Sequence, residues 1–154
     1  MTEDRLPVRM KRLHLALIGA LGFGSACFAA GITGEFYSPF YQYPGSKDFR
    51  PESLQLIKPD GTYEIRTVHS GAQDIYQGSY SVSGNKATFQ KGSYIATCPN
   101  VENFESKVAG KEFTAIFLRT ETTLTIYLGG QTERLQVATP EQVQHVMELP
   151  VCGQ

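Results

Sequence analysis

The side chains that usually bind metals are scarce in this chain. Its 154 residues include three histidines, three cysteines and no tryptophan. Beyond the first thirty residues the histidines are His69 and His145, far apart in the sequence, and the two remaining cysteines are better used in a disulfide. A protein metal site needs several such ligands, or carboxylates, at suitable spacing. The sequence therefore predicts no metal site.

Charged residues are also few, and neither sign dominates. They make up 19% of the chain, with 14 basic and 15 acidic side chains. Beyond the N-terminal segment the lysines and arginines are scattered singly, without the cluster that neutralises nucleic-acid phosphates. The pair Gly129-Gly130 lacks the strand-to-helix context of a phosphate-binding loop. We expect neither a nucleic-acid partner nor a cofactor.

A catalytic combination of serine, histidine and aspartate can be assembled on paper from His69, Ser70 and Asp74. Neighbouring residues in a polar turn seldom point at one another as a triad requires. We interpret this stretch as a solvated turn, and we assign Asp60 and Asp74 to turn chemistry. The sequence predicts a protein that is not an enzyme.

A long uncharged apolar run occurs at Leu13 to Ala30, and four basic residues precede it. The basic residues are Arg5, Arg9, Lys11 and Arg12. This pattern is typical of a signal peptide, and the run is marginal in length and too rich in Gly and Ala for a membrane span. We predict a signal over residues 1–29, cleaved near 26–30, and one β-barrel-like domain over 30–154. Removal of 1–29 leaves ten basic and 13 acidic residues, a net charge of −3.

Two endings of the signal fit the sequence. Small residues near Ala29 and Ala30 suit ordinary cleavage and soluble release. Alternatively, Gly24-Ser25-Ala26-Cys27 resembles a bacterial lipobox, in which Cys27 would be lipidated and become the first mature residue. The predicted location is exported, either periplasmic or secreted, or lipid-anchored in the envelope. Membrane contact is expected only through the signal or an anchor at Cys27.

Two cysteines remain after signal removal, Cys98 and Cys152. An even number of cysteines in an exported chain favours a disulfide, because exported proteins meet an oxidising compartment. We predict a Cys98–Cys152 bridge that ties down the C-terminal tail.

The stretch from Leu54 to Gln90 combines alternating apolar residues with turn signals, and it predicts four antiparallel strands. Pro59-Asp60-Gly61 and Ser83-Gly84-Asn85 are the turn signals. Alternation of this kind indicates a meander with one face on a core and the other on water.

Before this meander, five aromatic residues lie between Phe36 and Tyr43. We interpret them as a first strand whose aromatics plug one end of the core, with Pro39 confining the strand to an edge or a bulge. A ligand site or an exposed adhesive patch is the alternative.

After the meander, alternation and capping signals predict further strands and two helices. A short helix is expected from Val101 to Val108, and Thr139, with Pro140 and Gln142, forms a capping box for a C-terminal helix. Val143, Val146 and Met147 form its apolar stripe. The remaining predicted strands are 93–97, 113–119, 122–128 and 133–138.

These elements predict a mainly β fold, an antiparallel meander that closes into a small eight- or nine-stranded barrel with a short mid-chain helix and a C-terminal helix. The order is similar to that of a lipocalin. Gly34-Glu35-Phe36 resembles the Gly-x-Trp start of that family with phenylalanine for tryptophan, and two phrases resemble small bacterial lipocalin-like envelope proteins. The phrases are Lys58-Pro59-Asp60-Gly61-Thr62-Tyr63 and Gly78-Ser79-Tyr80-Ser81-Val82-Ser83-Gly84-Asn85.

A barrel of this size can hold a small apolar ligand, or its side chains can simply fill the interior. The candidate interior ligand-binding residues are Tyr63, Ile65, Tyr76, Tyr80, Phe89, Phe113 and Phe117. The alternative function is an envelope protein-interaction module or inhibitor that uses the tyrosine-rich N-terminal segment and the loops. An interior void would favour the ligand binder, whereas a packed interior with exposed tyrosines would favour the protein partner.

Overall fold

The computed structural model describes residues 31–99 and 112–154, in which antiparallel strands form a barrel with a helix on its outside. The predicted signal peptide, the lipobox-like cysteine and the predicted helix at 101–108 lie outside the described residues. The elements are β1 (Gly34–Ser38), β2 (Tyr41–Gln42), β3 (Phe49–Arg50), β4 (Ser53–Ile57), β5 (Thr62–His69), β6 (Ala72–Ser83), β7 (Lys86–Phe89), β8 (Ser93–Ala96), β9 (Phe113–Arg119), β10 (Thr123–Leu128), β11 (Gln131–Val137) and α1 (Pro140–Met147).

Eight strands close into a ring, and every neighbouring pair is antiparallel. The order around the ring is β1, β4, β5, β6, β7, β9, β10 and β11, and β11 pairs again with β1. Strand β8 continues after β7 and pairs with β6 as an additional strand. The predicted mainly β, antiparallel, closed barrel is therefore confirmed. Closure satisfies the backbone of all eight strands and leaves the ring without an open edge.

The barrel has two distinct ends, which we call the base and the mouth. At the base, where β1 begins, Ile32 is fully buried in the core. At the mouth, where β1, β5 and β10 end, residues 39–52 carry the small β2–β3 hairpin. An ion pair between Arg50 and Glu133 connects this hairpin to β11.

Strand β1 is a central strand, so the prediction that Pro39 confines it to an edge or bulge is wrong. It pairs with β4 on one side and β11 on the other, and Pro39 simply follows its last residue. The aromatics that follow do not plug the core, because Phe40, Tyr41 and Tyr43 are all exposed. Among the five, Phe36 alone is fully buried.

Phe36 occupies the position where the lipocalin resemblance expects tryptophan, and it packs against a cation. The guanidinium carbon of Arg119 lies 4.9 Å from the centre of the Phe36 ring. Gly34 makes room for this ring, since a Cβ there would lie 3.1 Å from the Phe36 ring edge, and its φ of 150° suits glycine. Because β1 and β9 each carry one partner, the contact fixes two walls of the base against one another.

The C-terminal helix begins as the sequence predicts. Thr139 accepts from the Gln142 nitrogen at 3.3 Å, and the Gln142 side chain accepts from the Thr139 nitrogen at 2.9 Å. The helix packs outside the barrel against β1 and β4. Within the helix, the Val146 side chain is fully buried, whereas Met147 is 44% exposed. The barrel therefore covers only part of the predicted apolar stripe.

The predicted disulfide is present in the structure. Cys98 and Cys152 are bonded, with their Cα atoms 4.8 Å apart, across a sequence separation of 54 residues. The bridge joins the segment after β8 to the tail that follows α1.

Candidate binding site in the barrel interior

All seven predicted site residues lie in the barrel interior. Three are buried members of the core, namely Tyr63, Tyr80 and Phe89. The other four are partly buried and pack against it, namely Ile65, Tyr76, Phe113 and Phe117. Strand alternation brings them together, because every second residue of each strand faces inward. Whether they bind a ligand stays a prediction.

The inward aromatic rings contact one another as a continuous series. Phe89 lies at its centre, with its ring 5.4 Å from Tyr63, 5.9 Å from Tyr80 and 5.0 Å from Phe113. Tyr76 continues the series, 6.1 Å from Tyr63. These separations are typical of favourable aromatic packing. This part of the interior is filled by side chains, and the rings stabilise the fold whether or not a ligand is present.

The inward tyrosines use their hydroxyl groups within the protein. Tyr63 donates to the carbonyl oxygen of Gln90 at 3.0 Å, and Tyr80 donates to that of Lys58 at 2.6 Å. Tyr76 accepts from the Gly92 nitrogen at 2.8 Å. Burial raises the pKa of Tyr63 and Tyr80, so both phenols stay neutral and keep these bonds. The rings therefore present mainly carbon surface to the interior.

Accessible apolar surface occurs in the mouth half of the interior. Four inward side chains there, Ile65, Tyr76, Phe113 and Ile126, are only partly buried. Toward the base the inward side chains of Ile32, Phe36, Leu124 and Leu135 are fully buried. Val82 and Val137, near the base ends of β6 and β11, are also only partly buried. The fully buried side chains are thus concentrated at the base, and four partly buried apolar groups lie nearer the mouth.

Ile126 is a lining residue that the candidate set lacks. It stands directly opposite Phe117 in the β9–β10 pair and opposite Glu133 in the β10–β11 pair. Its neighbour Tyr127 points outward and is 44% exposed. The alternation with Leu124 was the signal that could have identified it.

A buried polar pair lies at the mouth end, where we expected a solvated turn. His69 ends β5 and Asp74 belongs to β6, and the His69 Nε2 atom lies 3.1 Å from Asp74 Oδ2. The turn between the strands is only Ser70-Gly71, with φ angles of 51° and 80° that suit a tight hairpin. The interpretation of Asp74 as part of a solvated polar turn is therefore wrong, since Asp74 lies on a strand and is only 4% exposed.

The environment of Asp74 differs from that of an ordinary surface carboxylate. Burial raises its pKa, although the charge of His69 and hydrogen bonds from His69 and Thr67 oppose that rise. Ser70 lies on the exposed turn and no contact joins it to His69 in the described part of the chain. The pair is one of several polar groups on the inward face near the mouth, since Gln55 stands opposite Ile65 and Glu133 stands opposite Ile126. Ser70 does not complete a triad with it.

Asp60 behaves as the sequence predicts. Its Oδ1 atom accepts from the Thr62 nitrogen at 2.9 Å and from the Thr62 hydroxyl at 2.6 Å. These two bonds hold the pKa of Asp60 below its usual value. The residue shapes the β4–β5 turn.

Two open grooves lie on the surface of the described residues. One has a volume of about 590 Å³ and the other about 360 Å³. Of the seven predicted site residues, only Tyr63 borders either groove. Neither groove therefore coincides with the predicted interior set.

Exposed aromatic side chains occur on the β2–β3 hairpin. Phe40 and Phe49 stack with ring centres 5.6 Å apart, and Tyr41 and Tyr43 pack edge to face at 5.1 Å. All four are between 47% and 58% exposed. Gln42 orders the turn, because its Nε2 atom donates to the carbonyl oxygens of Ser46 and Asp48, each at 2.8 Å.

Within residues 31–99 and 112–154 no three metal-ligating side chains come together. No helix in this part of the chain is long and apolar enough to cross a membrane.

Two solved structures from Bacteroides are similar to this chain. One is the crystal structure of a lipocalin-like protein from Bacteroides uniformis, which is 14% identical with a TM-score of 0.51, over 70% of this chain and 99% of that one. The fold is lipocalin-like. An uncharacterized protein from Bacteroides eggerthii matches at 13% identity and a TM-score of 0.49, over 69% of this chain and 98% of that one. No protein-family profile and no curated protein matches the chain. At such low identity, the similarity to the Bacteroides uniformis protein shows the lipocalin-like barrel alone and says nothing about a ligand.

Proposed function

We propose that the protein is an exported, non-catalytic binding protein that holds a small apolar ligand in the mouth half of its barrel. One observation carries the proposal: Ile65, Phe113 and Ile126 face inward yet keep accessible surface. Ligand sites are mostly concave and apolar, with a small number of polar groups that set orientation. The His69–Asp74 pair beside this lining is such a group.

The chemistry of the lining favours an apolar ligand over a polar one. The hydroxyls of Tyr63, Tyr76 and Tyr80 already have partners in the protein. A polar ligand would leave unpaired those of its groups that meet Ile65, Phe113 and Ile126, at a cost of about 1–3 kcal/mol for each. An apolar ligand avoids this cost and gains from burial of its surface.

Export belongs to the same proposal. The basic and apolar pattern of residues 1–29 supports it, and the Cys98–Cys152 bond fits an oxidising compartment. Metabolic labelling with a fatty acid tests the anchoring. Label that disappears in Cys27→Ser would establish a lipid anchor, while absence of label in the natural sequence would establish ordinary cleavage.

Native mass spectrometry of protein purified from its own envelope tests the ligand directly. We expect a mass above that of the mature chain, which returns to the chain mass after extraction with organic solvent. An extract that contains an apolar small molecule supports the proposal. A bare chain mass, together with no uptake of apolar compounds by the extracted protein, contradicts it.

A second candidate function is a protein-interaction module, and the exposed aromatics of the β2–β3 hairpin favour it. Aromatic residues are enriched where protein interfaces gain most of their energy. In that case Tyr41→Ala would abolish co-purification of one specific partner while leaving small-molecule uptake unchanged. The ligand-binding function predicts the reverse, since Tyr41 is 49% exposed outside the lining.

A further inference from the structure

The larger of the two grooves lies along the β4–β5 turn, β6 and the β7–β8 junction, and Tyr63 is the one member of the predicted interior set that borders it. Its volume is about 590 Å³, within the range of small-molecule sites. Nine residues line it: Lys58, Thr62, Tyr63, Gln77, Gly78, Ser79, Lys91, Gly92 and Ser93.

Every charged residue that lines this groove is cationic. Lys58 is 43% exposed and its Nζ atom lies 3.6 Å from Glu64 Oε2. Arg66 and Gln77 also bind that carboxylate, and Lys58 interacts electrostatically with Asp60 as well, so Lys91 is the less neutralised of the two lysines. Lys91 forms no ion pair with the described residues. Two ammonium groups on one groove stand out in a chain whose net charge is −1.

The rest of the lining is polar or small. Ser79 and Ser93 supply exposed hydroxyls, and Gln77 supplies an amide whose Nε2 atom is already bonded to Glu64. Gly92 lies so close to β6 that a Cβ there would be 2.0 Å from the Gln77 carbonyl oxygen. The absence of a side chain at this position keeps the β7–β8 junction against β6 beside the groove.

We propose that this groove binds a phosphomonoester attached to a small polar group. A phosphomonoester carries a charge of about −1.5 to −2 and three acceptor oxygens, which two ammonium groups and neighbouring hydroxyls can satisfy. Lysine binds phosphate as a point charge, and Lys58 and Lys91 are the cations that line the groove. The groove is larger than phosphate alone, so Gln77, Ser79 and Ser93 are left to contact the attached group.

This inference goes beyond the apolar-ligand function and does not depend on it, because the two sites share only Tyr63 of the predicted interior set. The phosphomonoester could be a free metabolite or a lipid headgroup. Titration calorimetry with glucose 6-phosphate, with glucose as the neutral comparison, tests the first source. Sedimentation with phosphatidylcholine vesicles, with and without phosphatidic acid, tests the second.

The variants Lys91→Gln and Lys58→Gln/Lys91→Gln decide whether the groove is responsible. Loss of one charge-assisted bond should weaken binding of the responsive probe about tenfold. Lys86→Gln removes an exposed lysine from the end of β7, outside the groove lining, and should change binding little. Thermal melting checks that each variant is folded. If the double variant is unstable, Lys91→Gln alone still tests the groove, because it leaves the Lys58–Glu64 ion pair intact.

The site is supported if glucose 6-phosphate or the phosphatidic acid vesicles bind, and if Lys91→Gln weakens that binding while Lys86→Gln preserves it. The probe that binds shows whether the phosphomonoester is a free metabolite or a lipid headgroup. Binding by neither probe contradicts it. Equal binding by glucose and glucose 6-phosphate contradicts it as well, and so does equal weakening by both single variants, because the effect would then be nonspecific charge.

Discussion

The Gln73 side-chain nitrogen donates to the carbonyl oxygen of Leu149 at 2.7 Å and so joins strand β6 to the tail after α1. Gln73 is fully buried, and its backbone makes two further bonds to the tail. Its nitrogen donates to Pro150 at 2.9 Å, and its carbonyl oxygen accepts from Cys152 at 2.9 Å. Three hydrogen bonds to Gln73 therefore hold the tail, in addition to its disulfide.

Gln73→Ala should lower the free energy of unfolding by about 1–3 kcal/mol, because it leaves the partly buried Leu149 carbonyl oxygen without its donor. Urea unfolding measures the change. Gln131→Ala, at an exposed position of β11, is the control and should be near neutral. Equal stability of the two variants would show that the Gln73 contact is not used in solution.

Replacing both bridging cysteines, Cys98→Ser with Cys152→Ser, should destabilise the protein by about 4 kcal/mol in the chain-entropy model of loop closure. The circular dichroism spectrum should be preserved, since Gln73 still binds the tail. Non-reducing peptide mapping of native material should recover the linked peptides. Free thiols at both positions would contradict the bridge.

Local alternation and turn chemistry were enough to predict the eight barrel strands, β8 and the capping box of α1, but not the short β2–β3 hairpin. They could not show that Asp74 is buried, because the burial arises from β5 and β6 extending to a two-residue turn at Ser70-Gly71. They also misplaced β1. A proline signals an edge only if it lies inside a strand, and Pro39 lies just after one.

The polar cluster around Glu64 could be predicted only in part from the sequence, because Arg66 shares its strand whereas Gln77 lies on β6 and Lys58 follows β4. Arg66 and Gln77 both donate to this carboxylate, and Lys58 lies nearby. Cross-strand register in β4, β5 and β6 brings them together. Strand alternation puts Arg66 on the same face as Glu64, but the positions of Lys58 and Gln77 in the chain contain no signal that they share this carboxylate.

Glu64 should make stability depend on pH below the carboxylate's usual range. Burial by itself would raise its pKa, but hydrogen bonds from Gln77 and Arg66 and the charges of Arg66 and Lys58 outweigh burial and lower the pKa below 4.5. A lowered folded-state pKa contributes stability above 4.5, and that stability is lost as pH falls through the folded value.

Denaturant unfolding across this acidic range compares the natural protein with Glu64→Gln. The variant should be less stable at neutral pH by roughly 3–5 kcal/mol, because Arg66 is left as a partly buried cation without its partner. Its stability should also fall less steeply with acid. Parallel pH profiles for the two proteins would contradict the assigned role of Glu64.

Gly92→Ala should destabilise the protein strongly, because the new Cβ would lie 2.0 Å from the Gln77 carbonyl oxygen. The backbone must move, at a cost of at least about 1–3 kcal/mol. Gly31→Ala is the matched control, since its Cβ would meet Phe117 at an ordinary 3.7 Å. Thermal melting should separate the two variants. Similar melting temperatures would mean that β7 and β8 do not approach β6 this closely.

Binding of an apolar fluorescent probe to Ile126→Trp and Tyr127→Trp tests the central claim most directly. The two positions are adjacent on β10, but Ile126 packs inward and Tyr127 is exposed outside. If the mouth half of the barrel is the ligand site, Ile126→Trp should fill it and abolish probe binding, while Tyr127→Trp should bind like the natural protein, both remaining folded. Undiminished binding by Ile126→Trp, or loss of binding only in Tyr127→Trp, would contradict an interior site.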